Sequence, residues 1–386
     1  MTSSDTRPLK INIVGAGLVG LSAALALRRQ GHDVQVFEAA ATLAPLGAVI
    51  TIPPNAGRVF EHLGFDIEAK CQPQRYYGSV AFRRSGEKVN ESDFTSYERP
   101  TWSVHRHALH SALYECAVRL GARVKTCNPD AGTLVTQDGT THTADLIVGA
   151  DGIHSSIRTF VLGHAVDAPA SARVAFRTLV PIASCKAELG WLLGEGPRGM
   201  RLVFAPGRRG LTLTPLQQDE LVSVLAVHPD ERDQDSVGWH VPSSKEELLA
   251  KFADFDDKFT ALLSRAEEVK LWQLRALPWS IPTWVRGRTC LAHCIVALGQ
   301  GFAIGLEDVG ALGVLFPAGT RPEDVEGRLR MFQDVRKARA EFVARESVEQ
   351  ATIPEKMGLF LRSEEMRQEV WGYDVCAVAE ARLKEL

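Results

Sequence analysis

Gly15-Ala16-Gly17-Leu18-Val19-Gly20 fits the pattern G-x-G-x-x-G, and its surroundings say more than the match itself. It follows a short apolar run, Ile11-Asn12-Ile13-Val14, and opens an Ala/Leu-rich stretch from Leu18 to Arg29 that stops near Gly31. Asp33 to Glu38 then alternate as a strand does. Strand, tight turn, helix and second strand in this order predict a parallel βαβ unit wound right-handed. In such a unit the glycines permit the turn and let the backbone approach a pyrophosphate, while the helix N-terminus supplies amide donors and a favourable dipole. Glu38 ends the second strand eighteen residues past Gly20. A carboxylate there accepts hydrogen bonds from ribose hydroxyls and repels a 2′-phosphate, which points to the adenosine of FAD or NAD.

Further along, residues 53–64 read as a helix opened by Pro-Pro-Asn, and 71–100 as polar, aromatic-bearing strands. A helix begins near His107, and Ala144 to Ala150 is an apolar strand ending in Asp151-Gly152 that returns to the first sheet. From 171 to 230 short strands alternate with turns such as Pro206-Gly207-Arg208-Arg209-Gly210, the pattern of an antiparallel sheet. Helical patterns occupy 244–265, Gln300 to Leu315 and Pro322 to Gln350. The expected architecture is α/β: a Rossmann-like dinucleotide domain from 1–70, 101–165 and 285–345, an inserted antiparallel-sheet substrate domain from 71–100 and 166–284, and a C-terminal helical tail over 346–386.

Composition narrows the function. Lys plus Arg number 44 against 47 Asp plus Glu, a formal charge of -3, which lacks the basic excess that binds nucleic acid. The seven cysteines are odd in number and scattered, unlike a secreted disulfide framework, so a reducing, cytoplasmic setting is expected. The start, MTSSDTRPLK, lacks a signal peptide's apolar region, and no run reaches the length of a membrane helix. Cys290, His293 and Cys294 have no second ligand pair at finger-like spacing, so no metal site is expected. His154-Ser155-Ser156 lacks a G-x-S-x-G elbow, which disfavours a hydrolase. The partner expected is a small-molecule substrate, and the chain is expected to act as a monomer or homodimer.

Beyond the glycine motif the chain carries Ile52-Pro53-Pro54-Asn55-Ala56, Trp102-Ser103-Val104-His105-Arg106, Gly149-Ala150-Asp151-Gly152-Ile153-His154-Ser155, Gly299-Gln300-Gly301 with Glu307-Asp308, and Tyr373-Asp374. In this order and spacing the set resembles the single-component FAD-dependent aromatic hydroxylases of salicylate-hydroxylase type, with the para-hydroxybenzoate hydroxylase fold, over nearly the whole length. The resemblance implies a monooxygenase that uses FAD, NADPH or NADH, and O2 to hydroxylate an aromatic or polyketide-like molecule. It implies that Arg106 contacts the FAD pyrophosphate and that Asp151 and Gly152 serve both that region and the passing NADPH. A guanidinium suits phosphate because its donors are forked and its charge permanent. Gly299, Gln300 and Gly301 would aim a helix dipole at the flavin's pyrimidine end and favour negative charge on the reduced ring.

For the substrate, the second domain offers Arg177, Arg201, Arg208, His228, Trp191 and Phe204 on or beside its strands. An arginine facing the flavin can orient a phenolate or carboxylate by a bidentate contact. Arg201 is preferred to Arg177 for that role, with His228 as a second catalytic candidate.

Two departures from the family pattern stand out. The stretch Gly287 to Gly301 is short and lacks the family's Gly-Asp pair and the proline before Gly-Gln-Gly; the second FAD motif is thus degenerate. Val49 stands where a glycine usually lets the backbone approach the isoalloxazine. These departures leave two further readings open: a non-redox cyclase, isomerase or rearrangement catalyst with FAD lost or structural, and an inactive binding homologue.

Overall fold

A computed structural model describes residues 7–385 apart from 40–48, 120–123, 126–127, 131–132, 137–138, 167, 233–239, 276, 279, 293–299 and 357. The expected βαβ unit is present. Strand β1 (Lys10–Val14) leads through the glycine turn into helix α1 (Leu18–Arg29) and returns in β2 (Asp33–Phe37). The two strands are parallel, with Ile11 beside Val34 and Ile13 beside Val36. Ile11, Asn12, Ile13 and Val14 of β1 are all buried, as in a parallel sheet covered on both faces.

The chain leaves this sheet through β3 (Val49–Ile52) and helix α2 (Pro54–His62), then runs through β4 (Gln74–Tyr76), β5 (Gly78–Arg83), β6 (Lys88–Asp93) and β7 (Thr101–His105). Helix α3 (Arg106–Arg119) follows β7 directly. The short β8 (Val124–Lys125) and then β9 (Leu146–Gly149) rejoin the first sheet, β9 parallel to β1 with Ile11 beside Leu146. After α4 (Ser156–Leu162) come the long strands of the second sheet: β10 (Ala170–Pro181), β11 (Gly199–Ala205), β12 (Arg209–Leu216) and β13 (Leu221–Pro229). A short β14 (His240–Pro242), two helices, α5 (Lys245–Lys251) and α6 (Asp257–Leu263), and β15 (Lys270–Arg275) complete that domain. The chain then re-enters the first domain with β16 (Val285–Arg286), β17 (Thr289–Leu291) and the helices α7 (Gly301–Leu315), α8 (Val325–Thr352), α9 (Glu364–Trp371) and α10 (Val375–Leu383).

Strand order in the first sheet is β16-β17-β9-β1-β2-β8, and in the second β14-β15-β10-β13-β12-β11-β5-β6, while β3, β7 and β4 form a three-stranded sheet. The second sheet is antiparallel except where β5 lies parallel to β11, with Ala81 beside Leu202. That one parallel pair sits within the antiparallel sheet the sequence predicts. Its cause is connectivity, because β5 comes from an earlier excursion of the chain and not from a hairpin with β11.

Each sheet has its own core. The central helix α7 is buried along its length from Ala303 to Leu315, as a helix apolar all round must be. A Cβ on Gly305 would lie 2.6 Å from Val19 of α1, so the two helices approach closely near their N-terminal ends. In the second sheet β13 alternates strictly: Val222, Val224, Ala226 and His228 are buried, whereas Leu221, Ser223, Leu225 and Val227 are half-buried. Leu248 of α5, Phe252 after it, and Phe259 and Leu262 of α6 cover the fully buried face.

The boundary expected at 345–346 falls inside α8, which runs unbroken from Val325 to Thr352. Val375, Cys376 and Ala379 of α10 pack in the first core, whereas Phe360, Val370 and Trp371 cluster with Phe94. Among the described residues, no helix is long and apolar enough to cross a membrane.

Candidate flavin and substrate site

The three motif glycines are needed for three different reasons. Gly15 has φ +104°, and a Cβ there would sit 2.4 Å from the carbonyl oxygen of Ala150. A Cβ on Gly20 would sit 1.9 Å from the carbonyl oxygen of Gly15. These two serve the protein's own packing. Gly17, which caps α1 in extended conformation, would place a Cβ with nothing within 4 Å. No neighbour among the described residues accounts for a glycine at 17, so the space beside the α1 N-terminus is open to the approach of a ligand. Glu38 closes the turn, accepting a hydrogen bond from the Ala16 amide at 2.7 Å through Oε2.

A second helix N-terminus meets the same cleft. Gln300 caps α7 and is 2% exposed, and the Gly305–Val19 approach sets the start of α7 beside that of α1. Behind it lies a buried polar network. Arg336 donates to Glu307 and to Asp308, both at 2.7 Å, and all three side chains are 0% exposed. Arg339 adds a contact to Glu307 at 3.2 Å and donates to the carbonyls of Val370 at 2.6 Å and Glu369 at 3.0 Å. Its guanidinium lies 4.5 Å from the Tyr373 ring centre. Asn55 Nδ2 donates to Glu307 Oε1 at 2.7 Å and reaches Gln300 Oε1 at 3.3 Å. Arg58 donates to the Tyr373 carbonyl at 3.0 Å and lies 3.6 Å from Asp374. Three motifs far apart in the chain, Pro53-Pro54-Asn55, Glu307-Asp308 and Tyr373-Asp374, thus converge behind one helix start. Two carboxylates and two guanidinium groups balance there, the condition under which buried charge is tolerated. Sequence reasoning missed Arg336 and Arg339, because arginines on an amphipathic helix look the same whether they face solvent or a buried carboxylate.

Arg106 opens α3 immediately after β7. The Asp151 carboxylate accepts from the Ser155 hydroxyl, the Ser156 amide at 2.7 Å and the Ile157 amide at 3.2 Å, and so caps α4. What this turn offers a dinucleotide is backbone: Gly152, at φ +75°, would place a Cβ with nothing within 4 Å. Gly299, and the missing Gly-Asp and proline, fall in 293–299 and lie outside the described residues; Thr289–Leu291 before them forms β17, and Val49 begins β3.

The substrate residues are redistributed by the register of the second sheet. Arg201 is 0% exposed, paired with Leu213, on the face that α5 and α6 cover. Its guanidinium donates to the carbonyls of Glu195 at 2.8 Å, Pro197 at 2.9 Å and Trp191 at 3.3 Å. His228 lies on the same covered face, stacked on Phe176 at 5.0 Å with its Nδ1 at 2.7 Å from the Pro229 carbonyl, and burial pushes its pKa down. The catalytic expectation for both is therefore corrected: each is held within the helix-covered core. Period-two alternation puts Arg177 on the opposite face, in one row with Leu225, Thr212 and Leu202 across four strands. Its guanidinium lies 5.0 Å from the Trp272 ring centre, and its Nε is buried without an acceptor among the described residues. Burial, and then the like charge of Arg106, hold its pKa down. Arg177 therefore faces the dinucleotide domain.

The helix N-termini, the open cradle at Gly17, the carboxylate at the second strand's end and the facing cations fit a dinucleotide with an anionic centre. Comparisons with known proteins agree. The family model described as FAD binding domain matches residues 9–347. Hispidin-3-hydroxylase of Neonothopanus nambi is 41% identical over 420 positions, covering 100% of this chain and 98% of that enzyme. The aligned length exceeds the chain's 386 residues by 34, length that the relative has and this chain lacks. A 3-amino-4-hydroxybenzoate 2-monooxygenase of Streptomyces cremeus is 32% identical, covering 94% and 92% of the two chains. In fold, the chain matches a salicylate hydroxylase substrate complex at TM-score 0.79 and 23% identity, over 98% of each chain. The chain belongs to the FAD-binding-domain family, among its single-component FAD-dependent aromatic hydroxylases.

Proposed function

We propose that the chain hydroxylates a flat, ring-bearing substrate with an ionisable hydroxyl, laid against the half-buried face of the second sheet and held there by Arg177. FAD, when bound, takes reducing equivalents from NADPH or NADH and activates O2. The chain's own residues bind and orient. Gly17 and the α1 N-terminus, set in place by the packing of Gly15 and Gly20, would hold the pyrophosphate, Glu38 the ribose, Arg106 and Gly152 the phosphate flank, and the Gln300–Gly301 helix start the ring's pyrimidine end.

Arg177 carries the substrate reading. A half-buried guanidinium with no acceptor among the described residues, braced on Trp272, is matched by an anionic oxygen from outside the protein. Leu225, Thr212 and Leu202 in the same row supply an apolar wall with one hydroxyl, suited to an aromatic ring and to keeping water from it. Holding the substrate's oxygen as the anion makes its ring electron-rich where oxygen is to be added. Hispidin, the substrate named for the 41% identical relative, is the first compound to test. With FAD, NAD(P)H and hispidin, a product heavier by one oxygen atom is expected. Arg177→Leu should raise KM by roughly ten- to a hundredfold, the loss of a charge-assisted hydrogen bond, and leave FAD affinity unchanged. Unaltered KM in Arg177→Leu would contradict the assignment.

A further inference from the structure

We propose that Asn55 fixes the orientation of the Gln300 side-chain amide so that its NH2 group faces the flavin, which makes Asn55 a positioning residue for the cofactor's reduction potential. The proposal rests on the FAD-binding reading above.

The orientation follows from the acceptor at the far end of the chain of contacts. Glu307 is held by Arg336 and Arg339, and its carboxylate only accepts. The Asn55 atom 2.7 Å from Glu307 Oε1 must therefore be Nδ2, because a carbonyl oxygen there would face a carboxylate. The same Nδ2 lies 3.3 Å from the Gln300 amide, and two NH2 groups cannot face one another, so Gln300 presents Oε1 to Asn55. Its Nε2 is left pointing away from Asn55. The bond to Asn55 is the side-chain hydrogen bond Gln300 makes among the described residues. Beside it Asn55 Oδ1 is buried with no donor among the described residues, in a residue 1% exposed.

A buried acceptor without a donor, beside an amide whose NH2 group is turned away from Asn55, is what a polar ligand at the start of α7 would satisfy. An amide donor added to the helix dipole favours the form of the ligand that carries more negative charge, which for a flavin is the reduced ring. The Glu307 carboxylate thus acts on the flavin at one remove, by holding Asn55, which holds Gln300.

The test is the midpoint potential of bound FAD, measured by anaerobic titration against a reference dye. The wild-type chain is compared with Asn55→Leu, Asn55→Ser, Gln300→Leu and Asn55→Ser/Gln300→Leu. Serine removes the amide that reaches Glu307 and Gln300 but keeps a small polar group, so it serves even if leucine prevents folding. Each single variant should weaken reduced relative to oxidised FAD about tenfold, a fall of about 30 mV for a two-electron couple. The double variant should fall no further than Gln300→Leu. An unshifted potential in Asn55→Ser, or shifts that add in the double variant, overturns the relay while leaving FAD binding intact. A wild-type chain that binds no FAD overturns the flavin reading itself and the relay with it.

Discussion

Gly17→Ala and Gly20→Ala, two substitutions in one motif, should have different effects: the first on FAD binding, the second on stability. Gly17 has φ -72° and ψ -179°, which alanine adopts without strain, and its new Cβ meets nothing within 4 Å. Alanine caps a helix less well than glycine but restricts the unfolded chain, so the stability of the protein without FAD should change by no more than about 0.5 kcal/mol. The same methyl occupies the approach to the α1 N-terminus, so one charge-assisted contact to the pyrophosphate is lost, about 1.5–3 kcal/mol, or roughly ten- to a hundredfold in FAD affinity. At Gly20 the methyl would lie 1.9 Å from the Gly15 carbonyl oxygen, and backbone must shift, a destabilisation of about 1–3 kcal/mol with or without FAD. Denaturant unfolding of the protein without FAD, followed by titration of flavin fluorescence, separates the two. A Gly17→Ala protein that binds FAD as well as the wild type, or that is as unstable as Gly20→Ala, would refute the division of roles.

Other expectations follow from the same geometry. Arg336→Met leaves Glu307 and Asp308 buried beside one remaining arginine and should destabilise by about 3–5 kcal/mol in urea unfolding, with part recovered when Glu307→Gln is added. Arg201→Met should strand the carbonyls of Trp191, Glu195 and Pro197 at about 1–3 kcal/mol for each that finds no new donor, with the folded fraction keeping its turnover. Lost turnover without lost stability would restore Arg201 as a catalytic residue. His32, His105 and His228 all have pKa values lowered from 6.5, burial being the largest cause. The unfolded chain then binds more protons than the folded one below that value, so stability should fall as pH drops through 6.5, and His228→Phe should flatten the slope measured by denaturant midpoints.

The dinucleotide unit was legible in the sequence because its signals are local. The turn glycines, the helix they open and the acid at the next strand's end sit within one short stretch, and each matches a contact in the structure. The second sheet was harder to read because period-two alternation divides a strand into two faces without saying which face the rest of the protein covers. Along β10 the signal is true: Val174, Phe176 and Val180 form the buried face and Arg173 and Arg177 the other. Along β11 it is reversed, for Arg201 shares the covered face with Val203, while Met200, Leu202 and Phe204 take the half-buried one. Only the carbonyls presented between Trp191 and Pro197 make that burial tolerable, and a loop's carbonyl directions are not written in its composition. The network behind α7 was legible as motifs but not as contacts, since Asn55, Glu307, Arg336 and Tyr373 come together from distant parts of the chain.

The most direct test of the account is to load the purified chain with FAD and supply NAD(P)H, hispidin and isotopically labelled O2, then weigh the product by mass spectrometry. One atom of label in the product, lost together with tight substrate binding in Arg177→Leu, is the predicted result. An FAD-loaded chain that oxidises NAD(P)H yet delivers no label to hispidin or any other phenolic compound, or a product formed without FAD, would contradict it.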